Sequence, residues 1–343
     1  MILSELLANK PLVFALVLIC GVIFVNGWTD APNAITASVS TGALKMRHAV
    51  VLAAIFNFLG ALVMGMVNTS VLKSIGDITM LIGSTDRSVT VLCSALISII
   101  LWAVIAWYFG IPTSESHALI SGILGAAAAF GTEITPAALK ALGLAALGLV
   151  VSLPMGGLGG WIIGKTMYNV SLNSKSKKRE VVFKNGQKIG AAAMSFMHGA
   201  QDSQKFAGVF VAAMCMADVS EIKESAPVWL VLLCATIISI GTSVGGYRII
   251  KKVGMETVEL TFESGLAADI AAASCMLLAS FSGIPVSTTH TATSSVIGAG
   301  LSGNRHKINF KSVKEMVLAW ILTFPCCGVI SYAFVKLFLK LFD

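Results

Sequence analysis

Eight apolar stretches, at about 11–27, 48–68, 89–109, 137–165, 189–215, 227–247, 262–282 and 313–340, are each long enough to cross a bilayer, since a spanning helix needs about 20 apolar residues. Composition agrees. Of 343 residues 56% are hydrophobic and only 12% are charged, against about 25% charged in a soluble domain. Mean hydropathy is +0.86. Lipid offers no partner for an exposed peptide group, so spans of this length are expected to be helices that pair their own backbone. The fold class is therefore an all-α polytopic membrane protein.

Three further stretches are apolar but interrupted. Residues 28–44 hold Asp30, Asn33 and many small polar side chains, and 112–130 and 285–301 each open on a proline and a run of hydroxyls. Irregular backbone at membrane depth is tolerated only where protein buries it or a cavity lies beside it, and the last two, too short or too polar at one end to be simple spans, are expected to be half-helices or re-entrant hairpins meeting at the midplane. The chain also repeats itself. Gly110-Ile-Pro-Thr-Ser-Glu-Ser-His117 matches Gly283-Ile-Pro-Val-Ser-Thr-Thr-His290. Asn26-Gly-Trp-Thr-Asp-Ala-Pro-Asn33 matches His198-Gly-Ala-Gln-Asp-Ser-Gln-Lys205 more weakly, in the same order and at nearly the same offset. Two pseudo-symmetric repeats follow, 1–170 and 189–343, joined by a basic cytoplasmic loop over 171–188. Paired interrupted segments at matching places in two halves are the sequence mark of a transporter's midplane site.

The net charge of +7 does not call for nucleic acid. Basic residues of membrane proteins gather in cytoplasmic loops, and Lys175, Lys177, Lys178, Arg179, Lys184 and Lys188 form the densest run. The seven cysteines show no Cys-x-x-Cys pair and read as small buried hydrophobes. Met1 to Lys10 lacks a small-residue cleavage site, so no cleaved leader is expected. The tryptophans, Trp320 among them, are expected to anchor segment ends at the membrane interface.

Proline suits the first helical position, where its missing N–H costs nothing. The following N–H groups are unpaired and carry the positive end of the helix dipole, so such an end takes an anion. Thr113, Ser114 and Ser116 in the first copy, and Ser287, Thr288 and Thr289 in the second, add hydroxyl donors. Two such ends facing each other would surround a tetrahedral oxyanion. Ionisable groups inside a membrane are functional candidates. Asp30 with Asn33, and Asp202 with Gln201 and Gln204, offer hard oxygens suited to Na+ or a place for a proton. Asp30, Asn33 and Asp202 are the Na+ candidates, and a structural carboxylate bonded to helix ends is the alternative. Lys205 stands where Asn33 stands in the other copy, so it would neutralise Asp202 or touch the anion. Glu115 replaces a hydroxyl and is expected to offset Lys205. His117 and His290 serve either proton coupling or packing.

These four motifs resemble the inorganic phosphate transporter (PiT) family of sodium- or proton-coupled symporters. Gly27 to Ala34 and Gly199 to Phe206 are similar to the family's Gly-x-Asn-Asp-x-x-Asn-Ala segment, with Thr29 and Gln201 departing from it. Pro112 to His117 and Pro285 to His290 are similar to its Pro-Ser-Thr-His segment, with Glu115 departing. The resemblance implies an inverted-repeat transport fold, phosphate between the half-helix tips, Na+ or H+ as coupling ion and no other cofactor, lipid as surroundings and a homodimer. The expected location is the cell membrane, the inner membrane in a bacterium. Sulfate permease is the nearest rival and a channel is a further one. An enzyme is disfavoured, because two like half-sites do not supply distinct catalytic roles.

Overall fold

A computed structural model describes residues 9–85, 87–133, 135–172, 177–219, 226–303 and 308–341. Met1 to Ala8 and Lys175 lie outside them. No strand occurs among the described residues, and the helices in chain order are α1 (Lys10–Thr29), α2 (Thr36–Ser40), α3 (Met46–Val67), α4 (Ser70–Thr79), α5 (Ser88–Tyr108), α6 (Glu115–Phe130), α7 (Pro136–Leu172), α8 (Lys177–Met216), α9 (Val228–Val244), α10 (Tyr247–Ile250), α11 (Phe262–Phe281), α12 (Thr288–Leu301) and α13 (Phe310–Leu341). A 3-10 turn (Ala31–Ile35) links α1 to α2, and a π turn (Lys251–Met255) follows α10. Among the described residues six helical segments are long and apolar enough to cross a membrane, and α9 with α10 and its π turn makes a seventh if that pair, bent by 67°, is one span. The chain is an integral membrane protein.

Three expectations change. The segment 189–215 is helical, but as part of α8 it is not among the helices apolar enough to face lipid. It carries His198, Gln201, Asp202, Gln204 and Lys205 and buries them all, so protein rather than lipid surrounds it. The basic loop over 171–188 is largely helix: α7 runs to Leu172 and α8 begins at Lys177. Lys, Arg and Glu are good helix formers, and Arg179 reaches back to the Ser171 carbonyl and lies 3.7 Å from Glu263. The short helices α4 and α10 fall between the segments picked out by hydropathy. α4 buries Val71, Leu72, Ile75 and Ile78 on one face, and its Ser74 hydroxyl donates to the Gly283 carbonyl at 2.8 Å, just ahead of α12.

Corresponding helices pack reciprocally. α3 packs on α8 as α9 packs on α1, and α7 on α12 as α13 packs on α6. α1 meets α5 as α8 meets α11, and α5 meets α13 as α11 meets α7. α3 and α9 run in opposite directions. Ser239 bonds the Ala54 carbonyl and Asn57 bonds Thr242 at one end, while Gly65 abuts Val231 at the other. Small residues let such pairs approach closely. A Cβ at Gly60 of α3 would lie 1.8 Å from the Phe196 carbonyl oxygen, and one at Gly160 of α7 would lie 2.4 Å from that of Ser295 in α12.

Gly160→Leu should therefore destabilise the protein in detergent by at least the overpacking cost of about 1–3 kcal/mol. Gly143→Leu on the same helix, where an added Cβ meets nothing within 4 Å, should be neutral or stabilising by up to about 1 kcal/mol, because glycine is a poor helix former. Equal melting shifts would contradict the α7–α12 crossing.

Candidate functional site

The two half-helix tips start later than the prolines suggest. Ser114 and Ser287 have extended backbone and become N-caps, a position that serine favours, while Pro112 and Pro285 stay outside their helices. The Ser114 Oγ accepts from the His117 N–H at 3.3 Å, and the Ser287 Oγ from the His290 N–H at 3.2 Å. The tips then meet head to head. Ser114 and Ser287 hydroxyls are 2.8 Å apart. The Ser116 hydroxyl donates to the Val286 carbonyl at 3.3 Å, and the Thr289 hydroxyl reaches the Thr113 carbonyl at 3.0 Å. These two contacts are each other's counterparts at the repeat offset. The His117 and His290 rings pack 4.4 Å apart. Trp320 is buried rather than interfacial: its indole N–H donates to the Pro112 carbonyl at 3.0 Å, and its ring lies 4.2 Å from that of His290.

The aspartates flank these tips. α1 ends at Asp30, whose N–H closes on the Asn26 carbonyl at 2.8 Å, and Pro32 follows in the 3-10 turn. This break places irregular, buried backbone beside α12. Asp30 accepts from Asn33 Nδ2 at 2.6 Å and from the hydroxyls of Thr288 (3.0 Å) and Thr289. Asp202 lies in unbroken helix. Its Oδ1 takes the Lys205 ammonium at 2.7 Å, and its Oδ2 accepts from Asn26 at 3.0 Å and lies 3.3 Å from the Thr288 hydroxyl. One Thr288 hydroxyl thus faces both carboxylates with one proton to donate.

Of the residues read from the sequence, Thr113, Ser114, Ser116, Ser287, Thr288, Thr289, Lys205, Asp30, Asn33 and Asp202 gather here. Gln201 does not. It points to α11, donating to the Met276 carbonyl at 3.2 Å and to Ser280 at 2.8 Å. Gln204 is buried with neither amide atom bonded. Glu115 accepts from the Thr29 hydroxyl at 3.2 Å. It does not meet Lys205, whose three N–H bonds go to Asp202, Ser116 and Val286. Glu115 and Lys205 are therefore not in contact, and Lys205 instead pairs with Asp202, the other partner that the sequence offered it.

Two residues escape the sequence reading, Asn26 and His198. His198 Nε2 lies 3.4 Å from Asp202 Oδ2, and its Nδ1 lies 3.2 Å from Asn57 Oδ1. Asp30, His198 and Asp202 can bring one ligand atom each within 4.8 Å of one another. The signal is present in the sequence: Asn26 and His198 stand four residues before Asp30 and Asp202, on the same helical face. The whole cluster is shut away from solvent, with Asp202 0% and Lys205 2% exposed. Three carboxylates against a single ammonium in such a place favour added cations, and the helix tips favour an anion.

Comparison with known proteins points the same way. A family model described as "Phosphate transporter family" matches residues 26–331. A Bacillus subtilis (strain 168) protein described as a "probable low-affinity inorganic phosphate transporter" is 35% identical over 92% of this chain and 95% of its own length. A Rhizobium meliloti (strain 1021) protein of the same description is 32% identical over 90% of each. A solved structure described as "The sodium-dependent phosphate transporter" has the same fold, with a TM-score of 0.79 over 97% of this chain and 99% of that one, at 24% identity. The resemblance drawn from the four motifs therefore holds along nearly the whole length, and the chain belongs to the phosphate transporter family.

Proposed function

We propose that the chain carries inorganic phosphate across the membrane in symport with a cation, with the anion held between the tips of α6 and α12. The observation that carries this reading is the meeting of two serine-capped helix ends inside a bundle that also buries Asp30 and Asp202. To admit an oxyanion, Ser114 and Ser287 exchange their mutual hydrogen bond for bonds to it, and the N–H groups of each first turn face it. Carboxylates beside that position disfavour a bare anion. They accept a hydrogen bond from an anion that carries a proton. Phosphate carries one near neutral pH and sulfate does not, so the same acceptors select phosphate. The coupling cation, Na+ or H+, offsets the remaining negative charge. An inverted relation between the halves, 1–170 and 189–343, is part of this reading. It is supported by the opposed directions of α3 and α9, where Ser239 meets Ala54 towards one end and Val231 meets Gly65 at the other.

Purified protein in proteoliposomes should accumulate radiolabelled phosphate when an inward Na+ or H+ gradient is imposed, and excess sulfate should compete weakly. Failure to accumulate phosphate under either gradient would remove the proposal.

Ser114→Ala and Ser287→Ala should each weaken phosphate binding by about ten- to a hundredfold, the worth of a hydrogen bond to a charged group. Each alanine also removes a cap worth about 1 kcal/mol, so melting is measured alongside. Ser→Thr at each position, which keeps hydroxyl and cap, should restore binding. Unchanged phosphate affinity in both alanine variants would reject the tip site.

Asp30→Asn should leave phosphate exchange across the membrane measurable while abolishing gradient-driven accumulation. Retained accumulation would show that Asp30 has no part in coupling.

A further inference from the structure

The two half-sites hold the same three oxygens, and only one of them holds a cation of its own. Around Lys205 Nζ stand Asp202 Oδ1 at 2.7 Å, Ser116 Oγ at 2.8 Å and the Val286 carbonyl at 2.8 Å. A carboxylate, a hydroxyl and a backbone carbonyl are hard oxygen ligands of the kind Na+ takes, and an ammonium offers three donors to match them. Lys205 spends all three. Moved by the repeat offset, this set becomes Asp30 Oδ1, Thr289 Oγ1 and the Thr113 carbonyl. These oxygens are also together: the Thr289 hydroxyl lies in hydrogen-bond contact with both Asp30 Oδ1 and the Thr113 carbonyl.

The position equivalent to Lys205 is Asn33, and no Lys or Arg lies within ion-pair distance of Asp30 among the described residues. Two features mark this second set as short of positive charge. Thr289 has one proton for two acceptors, whereas its counterpart Ser116 donates to Val286 and receives from Lys205, so that it is satisfied. In addition Asn33, buried to 4% exposure, keeps its amide oxygen without a hydrogen-bond partner, beside the carboxylate that its own NH2 binds. A buried carbonyl left unpaired is costly, and a cation shared with Asp30, Thr289 and Thr113 removes that cost.

We propose that Lys205 is a tethered cation that permanently fills one of two equivalent cation positions, so that only the set formed by Asp30, Asn33, Thr289 and the Thr113 carbonyl takes a mobile Na+. Lys205 thereby sets the coupling stoichiometry. This rests on the symport reading above, but the number of bound Na+ ions does not depend on phosphate movement. An ammonium on a four-carbon stem cannot leave with the substrate. The half-site that contains it stabilises the anion without contributing an ion to the transport cycle.

Binding of radiolabelled Na+ to the purified full-length protein tests this. The wild type should bind a single Na+ per chain, and Asp30→Asn should lose it. Lys205→Asn, which copies the first half-site into the second, should double the bound Na+. Two Na+ ions in the wild type, none in the wild type, or no rise in a folded Lys205→Asn variant would each overturn the proposal. If Lys205→Asn does not fold, the double variant Asp202→Asn with Lys205→Met removes the ion pair as a unit. It should keep the single Na+, and losing it would be equally fatal. Phosphate uptake into proteoliposomes from the same preparations is read separately. Absent uptake with the Na+ count intact sinks the transport reading and leaves the tethered cation standing.

Discussion

Asp202 and Lys205 stand one helical turn apart on α8, both out of solvent and joined at 2.7 Å. Removing one partner of such a pair leaves an uncompensated buried charge and costs about 3–5 kcal/mol, although the pair as a whole adds little stability. That constraint dictates where α8 can lie. A helix carrying this pair together with His198, Gln201 and Gln204 cannot face hydrocarbon, so α1, α3, α4 and α11 surround it. The same enclosure supplies its remaining partners. Asn26 comes from α1, Asn57 from α3, and the Ser116 hydroxyl and Val286 carbonyl come from the two tips. The tips are thus held in register by one ammonium that touches both.

The spans and the tips were legible in the sequence because hydropathy and a duplicated motif report one-dimensional facts. Each of the eight apolar stretches became a helix or part of one, and both Pro-Ser-Thr-His segments became half-helix starts. What hydropathy could not reveal has a physical cause in each case. α4 is ten residues long and owes its helix to packing, since isolated helices of that length are marginal. Gln201 adjoins Asp202 in sequence, but neighbours on a helix do not share a face, so it serves α11 instead. Asn26 and His198 were within reach by the four-residue rule. The crossing of Asn26 to Asp202 in the opposite half, and of His198 to Asn57, was not, because it depends on how helices far apart in sequence cross. Trp320 has the composition of an interface anchor, and only the position of Pro112 shows what its N–H is for.

The duplicated halves differ in formal charge at two places in this centre, and those differences balance. Glu115 stands opposite Thr288 and adds a negative charge. Lys205 stands opposite Asn33 and adds a positive one. Relative to a symmetric pair of half-sites the net charge is unchanged, although the two side chains do not bond each other. Glu115 sits against Thr29 at the break after α1, while Lys205 sits between the tips. Separation matters in a low dielectric, where charges act over several ångströms without contact. Glu115 keeps one carboxylate oxygen without a hydrogen-bond partner among the described residues.

The direct contact of the two tips also bears on turnover. A site whose hydroxyls had no partner in the absence of anion would hold it too firmly, because every release would strand buried donors at about 1–3 kcal/mol each. Here Ser114 and Ser287 satisfy each other, and Ser116 and Thr289 each find a carbonyl across the interface. Exchanging these bonds for bonds to an oxyanion alters the hydrogen-bond count very little. In the proposed reading net affinity is then set by charge: the helix dipoles and Lys205 attract the anion, and the buried carboxylates disfavour it until a cation is present. In the proposed transport reading, coupling requires nothing more elaborate. A cation shared by Asp30, Thr289 and the Thr113 carbonyl removes the repulsion and at the same time holds the tip residue Thr289 in place, so the anion and the cation stabilise the same closed arrangement.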